Sequence, residues 1–457
     1  MEISHIKHLY WRAGFGLKPN QDKQLLHKSR AEIVGSLFEE SGQYDKLEVD
    51  LSEFRSIDPK KLFKDPKAVR SFFKRSNDKI RELNIAWMHR MSGEKAVLRE
   101  RMTLFWANHF VCKDNNVLYV QAYNNTLRRH ALGNFRDFVK AISKEPAMLI
   151  YLNNKHNIKK SPNENFAREL MELFTLGSGH YSEKDIKESA RAFTGYYHNF
   201  MGGFRIRLMQ HDHGIKRFFG KRGYFDGDDI IDIILSKKQC ARFICEKIYR
   251  YFVNQNINEA HISEMVAVFF PNYDIGQLMR FVFMSSWFYD EANIGAKIKS
   301  PVDLLLGIHR TVPLKFKDPQ KIISAQRLLG QILLYPPNVA GWKGDKAWID
   351  SNTVLLRLRL PAILLSGAFV QFKKEGEFND AMSRMIKRKR AINQFGVDPD
   401  WSVFMKSFQQ QPNEKLKEHL LSGPINKGTS KFLSGLGKNS KRDLCIQLMS
   451  LPEYQMC

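Results

Sequence analysis

The chain has 457 residues, 43% hydrophobic and 12% aromatic, enough for one large core or two modest ones, and this excludes disorder as the starting view. Lysine and arginine outnumber the acidic residues by 24, so the long-range field attracts polyanions: nucleic acid, polyphosphate, an acidic glycan or an acidic partner. No uninterrupted apolar run reaches the roughly 18 residues that span a bilayer, and the five cysteines are odd in number and scattered, which argues against a disulfide framework. Met1–Tyr10 has no apolar signal-peptide region, so the expected compartment is the cytoplasm.

Helical periodicity dominates in chain order. Leu98–Cys112 places Met102, Phe105, Trp106 and His109 at helical spacing, and the pattern over Leu118–Ser143 continues it through Leu127, Ala131, Phe135 and Ile142. Ser182 opens a helix with acidic residues in its first turn. Asp228-Asp229 predict the start of a short one to Leu235, and Ser236 starts the next, through Phe252. Ser300-Pro301 and Asp318-Pro319 are caps followed by proline at the first helical position, the second leading into Ile322–Leu334. The last strongly apolar helix spans about 352–372, includes the longest apolar run (Ala362–Val370), and carries Pro361 as a kink or break.

Two islands interrupt this pattern. Gly202–Leu208 alternates polar and apolar residues, which predicts a hairpin, and Gln210–Gly223 reads as a loop or ribbon. Pro336–Trp342 is a turn. The expected fold is therefore mainly α: a multi-helix globular core over 1–372 with a small hairpin and loop insertion near 200–225. A basic, mostly helical appendage, 373–457, would pack on that core. Its dense run Lys387-Arg388-Lys389-Arg390 reads as a solvated helix face within Asn379–Asn393.

The segment Asn163–Gly177 is a capped helix with two opposed faces. Asn163 marks its start and Gly177 a left-handed end. At 3.6 residues per turn, Phe166, Ala167, Leu170, Leu173 and Phe174 share one side. Glu164, Arg168, Glu172 and Thr175 share the other, with Glu169 beside them. Two neighbouring carboxylates push one pKa up while an arginine holds the other ionised, the arrangement acid/base chemistry requires. Glu164, Arg168, Glu169, Glu172 and His109 are accordingly the catalytic candidates, against the plainer reading of an ion network tying helices together. His211 and Asp212, with carboxylates from the helix, are the candidates for a divalent metal. Phosphate-binding glycine loops, His-Glu-x-x-His and Gly-x-Ser-x-Gly are absent.

The Asn163–Gly177 helix closely resembles the signature of a bacterial family known as a domain of unknown function, DUF eighteen-hundred. Further motifs resemble the family's in order: His8–Gly16, Phe105–Phe110, Tyr181–Gly195, His211-Asp212 with Lys216–Gly220, Gly330-Gln331, Pro336–Trp342 and Leu451–Gln455. The resemblance covers essentially the whole chain and implies a mainly helical protein without an established reaction. It also implies a functional partnership with an alkaline-phosphatase or sulfatase-like protein, and relatives that often carry export signals. Two positions depart from the pattern: Ala107 stands where the family has the first histidine of Trp-His-x-His, and Asn153 where an aspartate is common.

Two functional classes follow. One is an enzyme, hydrolytic in type, working by acid/base or metal-assisted chemistry. The other is a non-catalytic protein that holds a polyanion or a phosphatase-like partner, with nucleic acid a weaker third option.

Overall fold

The computed structural model describes residues 1–351, 353–366, 395–423, 425–434 and 440–457. Helices dominate, and the strands form small two-stranded antiparallel pairs, so the fold is mainly α. The run Lys387–Arg390, the expected helix end at Phe372 and the 372/373 boundary lie outside the described residues. Among the described residues, no helix is long and apolar enough to cross a membrane.

The chain divides into two compact units. The first combines Met1–Ser29, Tyr289–Ile332 and Lys343–Cys457; the second combines Arg30–Phe288 and Leu333–Trp342. In the first unit the Ile3–Ala13 helix is buried from Ile6 onward. Its Trp11 ring and that of Tyr454 sandwich the buried Lys299 ammonium at 4.0 and 3.7 Å, and Lys299 Nζ donates to Tyr454 O at 2.6 Å. The opening and closing motifs of the sequence thus meet in one core. Pro301–Thr311 begins at Ser300 with a capping box completed by Asp303, as the Ser-Pro pair predicts. The next helix, Lys321–Leu329, is shorter than the expected Ile322–Leu334, because Gly330 turns left-handed and closes it; Gln331 Oε1 then accepts from Val302 N at 3.1 Å. Thr353–Ser366 accommodates Pro361 within a helix.

The second unit is built on the 27-residue helix Pro66–Ser92 and on Val97–His109, whose residues Val97–Trp106 are all buried. The single helix expected over Leu118–Ser143 is two, Val117–His130 and Phe135–Ile142. Asn134 ends the continuity: its side chain accepts from Arg136 N and starts a new helix. The helix predicted from Asp228-Asp229 begins earlier, capped by Asp226 with Asp229 completing the box. The hairpin near 200 pairs Tyr196–His198 with Phe204–Ile206, and a second pairs Lys216–Phe218 with Lys221–Gly223.

Candidate functional site

Everything in this site belongs to the second unit. Asn163 Oδ1 accepts from Asn165 N at 3.1 Å and starts the predicted helix; Gly177, at φ +84°, ends it. A side chain at 177 would be strained and would meet the Phe243 ring at 3.0 Å. The middle departs from the 3.6-residue wheel. Asn165–Glu169 is α-helical, but Leu170–Thr175 widens into a π-helix, a rare form concentrated at functional sites. Thr175, placed on the polar stripe by the wheel, is fully buried, with Oγ1 donating to Leu170 O five residues back at 2.6 Å. Met171 takes an inward place in the same way, while Leu173 is only half-buried.

The wide turn leaves carbonyls at its end that side chains satisfy. His109 Nε2 lies 3.0 Å from Phe174 O, and Lys247 Nζ donates to Leu173 O at 2.8 Å. Lys247 Nζ is also 3.3 Å from His109 Nδ1. An ammonium has only protons to give, so Nδ1 carries the lone pair and Nε2 the proton. Burial first, then Lys247, holds the imidazole well below its usual pKa, and burial pushes Lys247 down to about 8. Two basic side chains thereby seat on the negative end of the helix dipole.

The charged stripe lies on the partly exposed outer face. Arg168 makes a two-pronged ion pair with Glu183, at 2.8 and 2.9 Å, and a longer contact of 3.4 Å to Glu164. Glu172 Oε2 accepts the Tyr181 hydroxyl at 2.7 Å. Glu169, one turn before Glu172, is half-buried; burial first, then Glu172, raises its carboxyl against the opposing pull of Arg168. The Tyr151 phenol is raised by burial, then by Cys112 and Glu169.

His211 and Asp212 are placed elsewhere, in the loop between the hairpins. His211 Nδ1 is 2.8 Å from Thr194 O, and Asp212 accepts from Arg191 Nε at 2.7 Å and Gly214 N at 2.7 Å. Arg191 also pairs with Glu188, so this cluster ties the ribbon to the Glu183–Ala192 helix. Both carboxylate oxygens of Asp212 are engaged by N–H donors, and among the described residues no group of three or more His, Cys, Asp or Glu stands ready for a metal ion.

The Phe105–Phe110 and Pro336–Trp342 motifs dock on each other. Asn108 Oδ1 accepts from Trp342 N at 2.7 Å, and its Nδ2 donates to Trp342 O at 3.1 Å. Gly341, at φ +78°, lets the turn approach: a Cβ there would fall 2.3 Å from Asn108 Oδ1. Beside this junction Ala107, Cys112, Asp114, Asn124 and Trp342 line a cavity of about 20 Å³, room for a single water.

A family model described as "Protein of unknown function (DUF1800)" matches residues 8–456. The chain belongs to this family. No curated protein and no solved structure matches it. Within the DUF1800 pattern, the two departures have different settings. Ala107 faces the small cavity, where Asn124 Nδ2 is buried without a hydrogen-bond partner, so a larger side chain at 107 would project into that space. Asn153 is exposed and left-handed, at φ +59°, a conformation that asparagine and aspartate both tolerate, and serves a turn.

Sequence reasoning passed over several groups here. Glu145 has a single hydroxyl partner, Thr126, and burial pushes it up to about 7. Asp114 is raised by burial, and Lys247 completes the helix cap. None sits in a recognisable motif: Glu145 precedes a proline and looks like an ordinary helix start, and Lys247 is one lysine among many. The available signal for Lys247 is its spacing three residues from apolar Ile244, on one helix face.

Proposed function

We propose that the outer face of the signature helix is an acid/base site of hydrolytic type, with Glu169 as the acid and Glu172 as the base. The observation that carries this is the pair itself: Glu169, half-buried and raised, stands one turn from Glu172, which accepts the Tyr181 phenol at 2.7 Å. A carboxyl raised by burial beside a second carboxyl is the pairing from which one group can protonate a leaving oxygen while the other takes a proton from water. Arg168, already clamped to Glu183 and Glu164, acts by fixing the face rather than by offering free donors. His109 and Lys247 act by holding the π-helix that presents it.

The test is a panel of chromogenic phosphate, sulfate, acyl and glycosyl esters with the wild-type chain, Glu169→Gln and Glu172→Gln. The reading expects turnover on one class, lost in both variants with little change in melting temperature. Variants that turn over normally, or whose main defect is a lower melting temperature, overturn it.

The net charge of +24 favours a second reading, a non-catalytic protein that holds a polyanion or an alkaline-phosphatase or sulfatase-like partner. Stoichiometric recovery of such a partner from the native host, with no turnover on the panel, would select it. Nucleic acid would reveal itself by steep salt dependence in a gel shift.

A further inference from the structure

We propose that the face of the second unit running from Pro59 to Lys74, with the recess beside it, binds single-stranded nucleic acid. The proposal rests on the polyanion-holding reading and gives that reading a place in the molecule. This stretch joins the short Pro59–Leu62 helix to the start of Pro66–Ser92. It carries Lys60, Lys61, Lys64, Lys67, Arg70 and Lys74, all exposed, and no described carboxylate pairs with any of them. Arg75, the next cation, is taken by Glu53 at 2.6 Å. The acidic residues here, Asp58 and Asp65, cap the two helices, accepting from Lys60 N at 2.9 Å and Lys67 N at 2.8 Å. The face is strongly positive on balance.

Aromatic rings lie directly beside these cations. At 3.6 residues per turn, Lys67, Arg70 and Lys74 form one stripe of about 10 Å, and Val69, Phe72 and Phe73 form the adjoining one. The second stripe walls a recess of about 380 Å³, which Phe63, Tyr119 and Phe200 also line. Phe72 stands 6.0 Å from Phe200 and 5.2 Å from Phe73, and Phe63 meets Phe200 edge-on at 6.0 Å. Tyr119 donates its hydroxyl to Phe200 O at 2.9 Å, which pins the far wall. Phe63 is 65% and Phe73 39% exposed, large apolar rings left at the rim. Lys155 adds a cation to the lining, while the Asp114 carboxylate accepts from Asn116 N in its own loop at 2.6 Å.

A row of cations alongside a slot for flat rings is what tracks a phosphate backbone while its bases stack. Phosphates alone would need only the lysines and the arginine, and would leave the phenylalanines unexplained. A duplex keeps its bases stacked inside, so the recess selects a single strand. A bilayer surface calls for apolar side chains standing out together; here most of the rings wall a hollow. None of these residues is shared with the acid/base face at Glu169 and Glu172.

The experiment measures binding of the whole protein to three probes at low salt by fluorescence anisotropy and competition: an oligothymidylate, an abasic oligodeoxynucleotide of the same length, and inorganic polyphosphate. The oligothymidylate should bind at least tenfold tighter than the abasic strand. Phe63→Ala, at the exposed rim, should weaken the oligothymidylate by about tenfold, the loss of one stacked base, and leave the abasic strand unchanged. Replacing Lys67, Arg70 and Lys74 together by Gln should weaken all three probes and lower the slope of log affinity against log salt by about 2 for the oligothymidylate. Equal binding of the two strands, or binding indifferent to both variants, overturns the proposal and leaves the polyanion reading standing if polyphosphate binds. No binding of any probe overturns both. Phosphatidylserine vesicles bound in a Phe63-dependent way, with the oligothymidylate left free, would also overturn it and assign the face to a membrane.

Discussion

Two arginine–carboxylate pairs of nearly identical chemistry sit in the second unit under opposite conditions. Arg128 and Glu100 are 0% and 2% exposed; Arg168 and Glu183 are 37% and 67% exposed. The buried pair is fully furnished: Arg128 Nε and Nη2 reach Glu100 at 2.7 and 3.1 Å, Nη1 reaches Asn124 and Asn125, and Trp87 Nε1 donates to Glu100 at 2.9 Å. The outer pair has two good hydrogen bonds and water around them. Glu145 supplies the third case, a half-buried carboxyl without a cationic partner, and its pKa rises to about 7. The lesson is that burial sets the stakes and the partner decides which charge state survives.

The comparison breaks if the first change is mild. Glu100→Gln leaves the Arg128 charge buried without its counter-ion, and should cost about 3–5 kcal/mol in urea unfolding. A cost below about 1 kcal/mol would mean that water reaches the pair.

Glu145→Gln sharpens it through pH. The folded carboxyl, pushed up from 4.5 to about 7, favours the proton, so its contribution is fully present below pH 4.5 and is lost as pH rises to about 7. The amide keeps an acceptor for Thr126 and cannot ionise. The variant should match wild type at pH 4 and exceed it at pH 8 by up to about 3 kcal/mol. A stability difference that does not change with pH would remove burial as the cause.

Arg168→Ala is expected to be the smallest effect, under about 1 kcal/mol and weaker still in high salt, because the pair is screened by solvent. A large loss would show that the outer face carries structural weight, and would count against Glu169 and Glu172 as a working site.

Much of the fold is legible locally. Ser182 with Asp185 and Ser300 with Asp303 form the capping boxes their spacing predicts, Gly177 takes its left-handed turn, and the 202–208 alternation becomes a hairpin strand. These are interactions within a few residues, where spacing alone determines geometry. The break at Asn134 was misread because apolar periodicity continues through it while the cap acts on the next helix. At the candidate site, the Glu169–Glu172 spacing and the identity of His109 were readable. The partner of His109 was not, since Lys247 lies 138 residues away. Nor was the pairing of Asn108 with Trp342, 234 residues apart.

By itself, the sequence determined the helical class, the capping boxes at Ser182 and Ser300, the family and the two altered positions, because each rests on residue types at short, fixed spacing. The tertiary structure decided which polar groups lose their water. It buried Thr175 by widening one turn, set His109 on a helix end instead of in a cleft, and tied Asp212 to Arg191. Solvation belongs to the assembled surroundings of a group, and those surroundings are made by chain segments far apart in sequence.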